Sequence, residues 1–284
     1  MNCAIRSCYQ VSDRENSFTF SSFSYPDGSI ITNSGFVWNA HSGATGQTEV
    51  VSSMLELRGS QSEDINRLIP GQPYDSTSDL TLYAGLTVKF STLPSTGGDY
   101  FAHFKDSANG YAARLFASTA NAASGQFRLG IANGTGTQVE FPQDLALNTT
   151  HGVVIGYDLV TGQSRFWVNP VNEASTSVQD LSSASPIVVT SFAFRQSGGI
   201  GSLDVDDLCV GNGFVAVIPT ISPGGIPLEA AREGNDLILS WSNPAFTLLT
   251  GTNVTGVTNP VLGATSPYTN SIADPTRYFR LIMQ

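Results

Sequence analysis

Charge is scarce in this chain. Of 284 residues only 13% are charged, well under the roughly 25% of an ordinary globular protein. Lysine is nearly absent, with Lys89 and Lys105 the two examples, and the arginines are scattered. Nucleic acid presents a dense line of phosphates that a binder opposes with a basic stripe. A formal net charge of −10 without such a stripe excludes that class. The same anionic surface disfavours adhesion to acidic lipid.

Long apolar runs are missing too. No segment is long enough to span a membrane, and the start, MNCAIRSCYQ, lacks the continuous apolar stretch of a signal peptide. Either a leader was removed before this sequence begins or the protein is not exported, and the residues leave both open. Three cysteines, Cys3, Cys8 and Cys209, are too few and too unevenly placed for a disulfide framework. Cys209 alternates with Leu208 and Val210, as a small buried hydrophobe does. Three histidines, His41, His103 and His151, stand far apart without ligand spacing, so they announce no zinc site. There is no Gly-x-Ser-x-Gly elbow, phosphate loop or Cys-x-x-Cys.

What the chain does have is 40% hydrophobic residues, with Ser, Thr, Asn and Gly filling the place of charge. In TLYAGLTVKF (81–90) Leu82, Ala84, Leu86, Val88 and Phe90 share one face, and Tyr83, Thr87 and Lys89 the other. Similar runs recur from residue 18 to 218, punctuated by turns such as Pro26-Asp27-Gly28. GYDLVTGQSRFWV (156–168) reads as a hairpin turning at Thr161-Gly162. SEDINRLI (62–69) reads as one short helical turn, with Ser62 as N-cap and Ile65, Leu68 and Ile69 as its buried face. Ten or more strands with almost no helix predict an all-β fold of two packed antiparallel sheets. IPTISPGGIP (218–227) interrupts the pattern. The expected organisation is a tail (1–17), a large sandwich (18–218), a linker (219–227) and a small β-sandwich module (228–284) whose core includes Trp241.

FSYPDGSI (23–30), VWNAHSG (37–43), DYFAHFKD (99–106), FRLGIANG (127–134), DLALNTTHGVVIGYDL (144–159) and FAFRQSGGIGSLDVDDLCVG (192–211) resemble the concanavalin A-like, laminin G-like jelly-roll domains of secreted bacterial proteins. LSWSNPAFTLLTGTNV (239–254) and RYFRL (277–281) resemble the small C-terminal β-modules of exported bacterial proteins. The resemblance implies an extracellular or cell-surface protein with a lectin-like fold. It does not fix activity, because this fold hosts lectins, binding modules, glycosidases and lyases alike.

Two roles follow as expectations. The first is a non-catalytic binder of a polysaccharide or other glycan, with Lys105, Arg128, Trp167 and Arg58 as ligand contacts. Trp38, Tyr83, Tyr100 and Tyr111 are further rings on which sugars stack. The second is a carbohydrate-active enzyme working in the concave groove. A lyase needs cations to neutralise a sugar carboxylate and a Tyr or His to remove a proton. His103 with Tyr83 or Tyr111, and Arg114 beside them, supply those types. A retaining hydrolase needs two carboxylates roughly 5 Å apart, and the Glu-x-Asp-x-x-Glu pattern such sandwiches use is absent. Glu56 stands without a second acid, on one strand face with Arg58, which points to an ion pair. Calcium, common in lectin-like sandwiches, would need oxygen ligands. Asp27 and Asp207 are the expected members, with Asp204 and Asp206 on one strand face and Asp207 on the other, beside Val205 and Cys209.

Overall fold

The computed structural model describes residues 17–182, 185–219, 228–241, 246–252, 257, 259–271 and 277–283. Cys3, Cys8 and most of the expected tail and linker lie outside them. The chain divides into two compact units, Met1–Ile221 and Ser222–Gln284.

In the larger unit the period-two pattern of residues 81–90 becomes strand β7 (Thr81–Thr92), with Leu82, Ala84, Leu86, Val88 and Phe90 buried. It lies near the middle of a nine-stranded sheet ordered β15 (Ser177–Asp180), β14 (Ser164–Val168), β13 (Thr150–Asp158), β7, β17 (Ser202–Gly211), β5 (Met54–Arg58), β4 (Glu49–Val51) and β2 (Gly28–Ser29). Strand β1 (Ser17–Ser21) adds to β17. The eight-stranded second sheet runs β11 (Val139–Glu140), β10 (Gln126–Ala132), β9 (Tyr111–Ser118), β8 (Asp99–Lys105), β16 (Ser191–Phe194), β6 (Asp64–Leu68) and β3 (Asn39–Ser42), with β12 (Leu145–Ala146) on β10. One apolar cluster joins the two sheets. Phe90 meets Phe101 and Phe127 at ring-centroid distances of 5.7 and 4.3 Å, and Trp38 packs against Phe23 and Phe194. The unit is a two-sheet antiparallel jelly-roll sandwich. The β13–β14 hairpin turns where expected, with Gly162 at φ +70° and the Asp158 carboxylate accepting from the Val160 and Thr161 amides.

Two local expectations are corrected. Residues 64–68 form strand β6 instead of a helical turn, because β3 on one side and β16 on the other both supply ladder partners. Ile65 points inward while Leu68 is exposed, which no helical face through both would allow. In β17 the register slips between Asp206 and Cys209, and Asp207 takes φ +53°. That bulge resets the alternation. Val205, Leu208 and Val210 enter the main core, while Cys209 emerges on the opposite face. Asp207 therefore does not share a face with both Val205 and Cys209.

That opposite face of the nine-stranded sheet is partly covered by the short helix α2 (Phe214–Val217); the other α-helical turn among the described residues is α1 (Ile30–Asn33). Phe214 packs on Tyr83 and Trp167, and the Cys209 thiol donates to the Ala216 carbonyl at 3.3 Å. Gly85 permits this closeness, since a Cβ there would fall 1.7 Å from the Val217 oxygen.

In the smaller unit, β18 (Glu229–Glu233), β19 (Asp236–Ser240) and β22 (Tyr268–Ser271) form one sheet. Strands β21 (Asn259–Pro260), β20 (Phe246–Gly251) and β23 (Tyr278–Met283) form another. Leu239, Trp241, Phe246 and Leu248 are buried between them, so Trp241 is core.

Candidate functional site

Strict alternation along β8 would set Tyr100 and His103 on opposite faces. A register irregularity between Tyr100 and Phe104 sends both Phe101 and Ala102 into the core, so Tyr100, His103 and Lys105 all face outward. Strand β9 does the same: Ala112 and Ala113 are both core, Ala113 at φ +48°, and Tyr111 and Arg114 face outward together. The two irregularities build one cluster. The His103 ring stands 5.4 Å from Tyr100, 6.2 Å from Tyr111 and 6.4 Å from His41. The Arg114 guanidinium lies over Tyr100, Tyr111 and Phe116 at 5.0, 5.2 and 4.7 Å, within cation–π range. From the end of β16, Arg195 covers Tyr100 at 4.3 Å, pairs with Asp99 at 2.8 Å and approaches Asp64 at 3.9 Å.

Burial sets the charges here. His103 is 4% exposed, and its pKa is lowered to about 3 by that burial, helped by His41 and Lys105; it is neutral at pH 7. Its Nδ1 has no hydrogen-bond partner. Arg114 is 7% exposed, and burial lowers its pKa too. Its Nη2 donates to the Gly136 carbonyl at 2.9 Å, while Nε has no partner. Lys105, 8% exposed, donates to the carbonyls of Asp106 and Ala108. Among the described residues, neither Arg114 nor Lys105 has a carboxylate within ion-pair distance. The nearby acids differ from each other. Burial raises Asp64 to about 6. Burial also works to raise Asp99, but hydrogen bonds from Ser197, Arg195 and the Tyr100 amide overcome it and hold that carboxyl low.

The residues expected from sequence divide between opposite sheets. His103, Lys105, Tyr111 and Arg114 come together on the eight-stranded sheet. Arg128, on the same face, is engaged by Asp144 at 2.6 Å and Glu140 at 3.9 Å. Tyr83, Trp167, Glu56 and Arg58 belong to the nine-stranded sheet. Tyr83 therefore stands apart from His103, because its odd position in β7 faces away from the core on the far side of the sandwich. Glu56 pairs with Arg58 as its spacing implied, and Glu49 joins them at 3.7 Å. His41, which sequence spacing left isolated, reaches His103 from β3. Asp64, Asp99 and Arg195 were not foreseen: their proximity comes from the β6–β16–β8 ladder, and no local motif encodes it.

One Asp27 carboxylate oxygen accepts from the Ser52 amide at 2.9 Å, and Asp207 sits on the β17 bulge with its amide bonded to Asp206. Among the described residues no three His, Cys, Asp or Glu side chains converge as metal ligands. A rise of several degrees in the thermal midpoint on adding calcium, reversed by EDTA, would assign Asp27 and Asp207 to a cation, and an unchanged midpoint would count against them.

The outer face of the nine-stranded sheet carries a depression of about 200 Å³. Cross-strand neighbours line it: Thr81 and Tyr83 on β7, Gly156 and Asp158 on β13, Arg165 and Trp167 on β14, and Gln179 on β15. Glu173 closes one side. Its carboxylate accepts from the Tyr83 hydroxyl at 2.7 Å and its carbonyl from the Trp167 indole at 3.2 Å.

No helix among the described residues is long and apolar enough to cross a membrane. No protein-family model and no curated protein matches the chain. Solved structures with a similar strand arrangement include the CBM2 module of an evolved Dit protein of Lactobacillus casei phage J-1, at 11% identity and a TM-score of 0.43 over 69% of this chain and 95% of that one. A carbohydrate esterase of the Shiga toxin-encoding bacteriophage phi24B is 12% identical, with a TM-score of 0.45 over 69% and 100%. Peanut lectin is 13% identical, with a TM-score of 0.40 over 62% and 91%.

Proposed function

We propose that this chain is a glycan-binding protein of the exported, cell-surface kind. Its site is the outer face of the eight-stranded sheet around Tyr100, His103, Tyr111 and Arg114, and it takes an acidic sugar residue. One observation carries the reading. Arg114 and Lys105 are buried cations without a carboxylate partner among the described residues, in a chain of net charge −10. Burying an unpaired charge is costly. A carboxylate or sulfate on the ligand would supply the missing counter-ion through charge-assisted hydrogen bonds. The half-buried Tyr100 and Tyr111 rings offer apolar faces to sugar C–H groups.

A second reading, a carbohydrate-active enzyme, is favoured by one feature: Asp64 and Asp99 share Arg195 yet their acidities are pushed apart, as in an acid and base pair. His103 argues against elimination. A base whose pKa is about 3 takes a proton poorly at neutral pH.

The test is a panel of alginate, pectate, hyaluronan and heparin against dextran and xylan, followed by calorimetric titration and by assays for new reducing ends and 235 nm absorbance. Binding of an acidic polymer is expected, weakened at least about tenfold, or some 1.4 kcal/mol, in Tyr111→Ala and in Lys105→Met with circular dichroism unchanged. Binding of neutral polymers alone, or of none, refutes the proposal. Turnover abolished by Asp64→Asn would establish the enzyme instead.

A further inference from the structure

The depression on the nine-stranded sheet includes Gly156, the cross-strand partner of Tyr83 on one side and of Arg165 on the other. Gly156 is buried because the Tyr83 and Trp167 rings close over it: a Cβ there would come within 3.1 Å of the Tyr83 ring and 3.5 Å of Trp167. Arg165 is held upright, its guanidinium 4.9 Å over Trp167 and its Nε donating to Ser177 at 2.7 Å. Trp167 is itself fixed by Phe214 and by the Glu173 carbonyl. The walls are therefore preorganised, which lowers the ordering cost of binding.

The lining has a definite chemistry. Planar polar groups, the Asp158 and Glu173 carboxylates, the Arg165 guanidinium and the Gln163 and Gln179 carboxamides, ring a space bounded on one side by the half-buried Tyr83. The lining offers both donors and acceptors, and two carboxylates outnumber one guanidinium. An anionic ligand is thus disfavoured, unlike at the face around Arg114. The volume is below the several hundred Å³ that enclose a drug-sized ligand, so the occupant is a single small polar ring.

We infer that this depression is a second binding site, separate from the Arg114 face, which takes one neutral sugar residue. Its hydroxyls exchange hydrogen bonds with Glu173, Arg165, Gln179 and Asp158, and its ring lies beside Tyr83. The site stands independently of the acidic-glycan reading, since it shares no residue with that face.

Trp167 serves as a reporter. The probes are methyl α-D-glucopyranoside, galactopyranoside and mannopyranoside, each titrated to roughly 50 mM, a range suited to the weak affinity of so small a ligand. The readout is the Trp167 indole N–H resonance, assigned by its disappearance in Trp167→Phe. A saturable shift with at least one glycoside is expected. Gly156→Ala, which displaces the Tyr83 ring, should abolish it, and Gln179→Ala on the exposed edge strand should weaken it at least about fivefold. Tyr111→Ala should leave it unchanged, which keeps this result distinct from that at the other face. No shift with any of the three overturns the proposal. So does a shift that persists in both Gly156→Ala and Gln179→Ala. Should Gly156→Ala fail to fold, Gln179→Ala alone decides.

Discussion

Glu63→Ala is expected to destabilise the larger unit by at least about 2 kcal/mol, because three backbone amides, the buried Thr48 amide among them, would lose their acceptor. Glu63 is wholly buried, and its carboxylate accepts from the backbone N–H groups of Gly46, Gln47 and Thr48 at 2.8, 2.8 and 2.6 Å. These charge-assisted bonds shape the segment between β3 and β4, and the Thr48 carbonyl there receives the Ile30 amide. Alanine offers no acceptor, and the buried Thr48 amide has no route to water. Glu63→Gln should cost less, since one oxygen remains, but its amide group would face an N–H donor. Urea unfolding of the three proteins tests this: the midpoints should fall in the order Glu, Gln, Ala. An alanine variant within about 1 kcal/mol of the parent would show that the segment rearranges freely and that the carboxylate is dispensable.

The second large effect is on acid stability. His103 in the folded chain holds a pKa of about 3, against an ordinary value of 6.5. At pH 7 the folded form is neutral there and the unfolded form mostly so. As pH falls below 6.5 the unfolded chain takes up the proton and the folded chain refuses it, so stability is lost progressively down to about pH 3. At about 1.4 kcal/mol per pKa unit, the loss from this residue alone reaches roughly 3 kcal/mol by pH 4. His41 and His151 are also lowered, chiefly by burial, and act in the same direction. Asp64 opposes them. Raised to about 6 from 3.8, it contributes stability that is present in acid and lost as pH rises through 6. The remaining groups around His103 are Lys105, Arg114 and Arg195, whose positive charge deters its protonation, and the Tyr100 and Tyr111 rings. The thermal midpoint of the parent should therefore drop more steeply between pH 7 and pH 4 than that of His103→Gln, and Asp64→Asn should steepen it further. Parallel profiles for parent and His103→Gln would mean that His103 is solvated.

The architecture was legible in the sequence because a half-buried strand writes its period directly into the residues. Leu82 through Phe90 alternate without fault, and β7 carries them as read. Legibility failed wherever a strand broke its own period. The irregularities at Phe101-Ala102, at Ala112-Ala113 and at Asp206-Asp207 each shift the faces that follow, and no residue type there announces it. The segment 62–69 failed for another reason. Its apolar spacing suits a helix, but two flanking strands offered more backbone hydrogen bonds than a single turn would. Parts of the site were visible singly, as with His103, Lys105, Tyr111 and Arg114 on adjoining strands. Their partners His41, Asp64 and Arg195 were not, since only the pairing order of the sheet brings strands so distant in sequence side by side.

The β8–β9 hairpin carries Tyr100, His103, Lys105, Tyr111 and Arg114 in one stretch of chain, but His41, Asp64 and Arg195 reach the same face through β3, β6 and β16, which pair across distant parts of the sequence. The complete face thus depends on completed folding: an isolated hairpin or a chain still emerging from the ribosome lacks its surroundings. A ligand held there binds only the finished sandwich and, by mass action, opposes its unfolding.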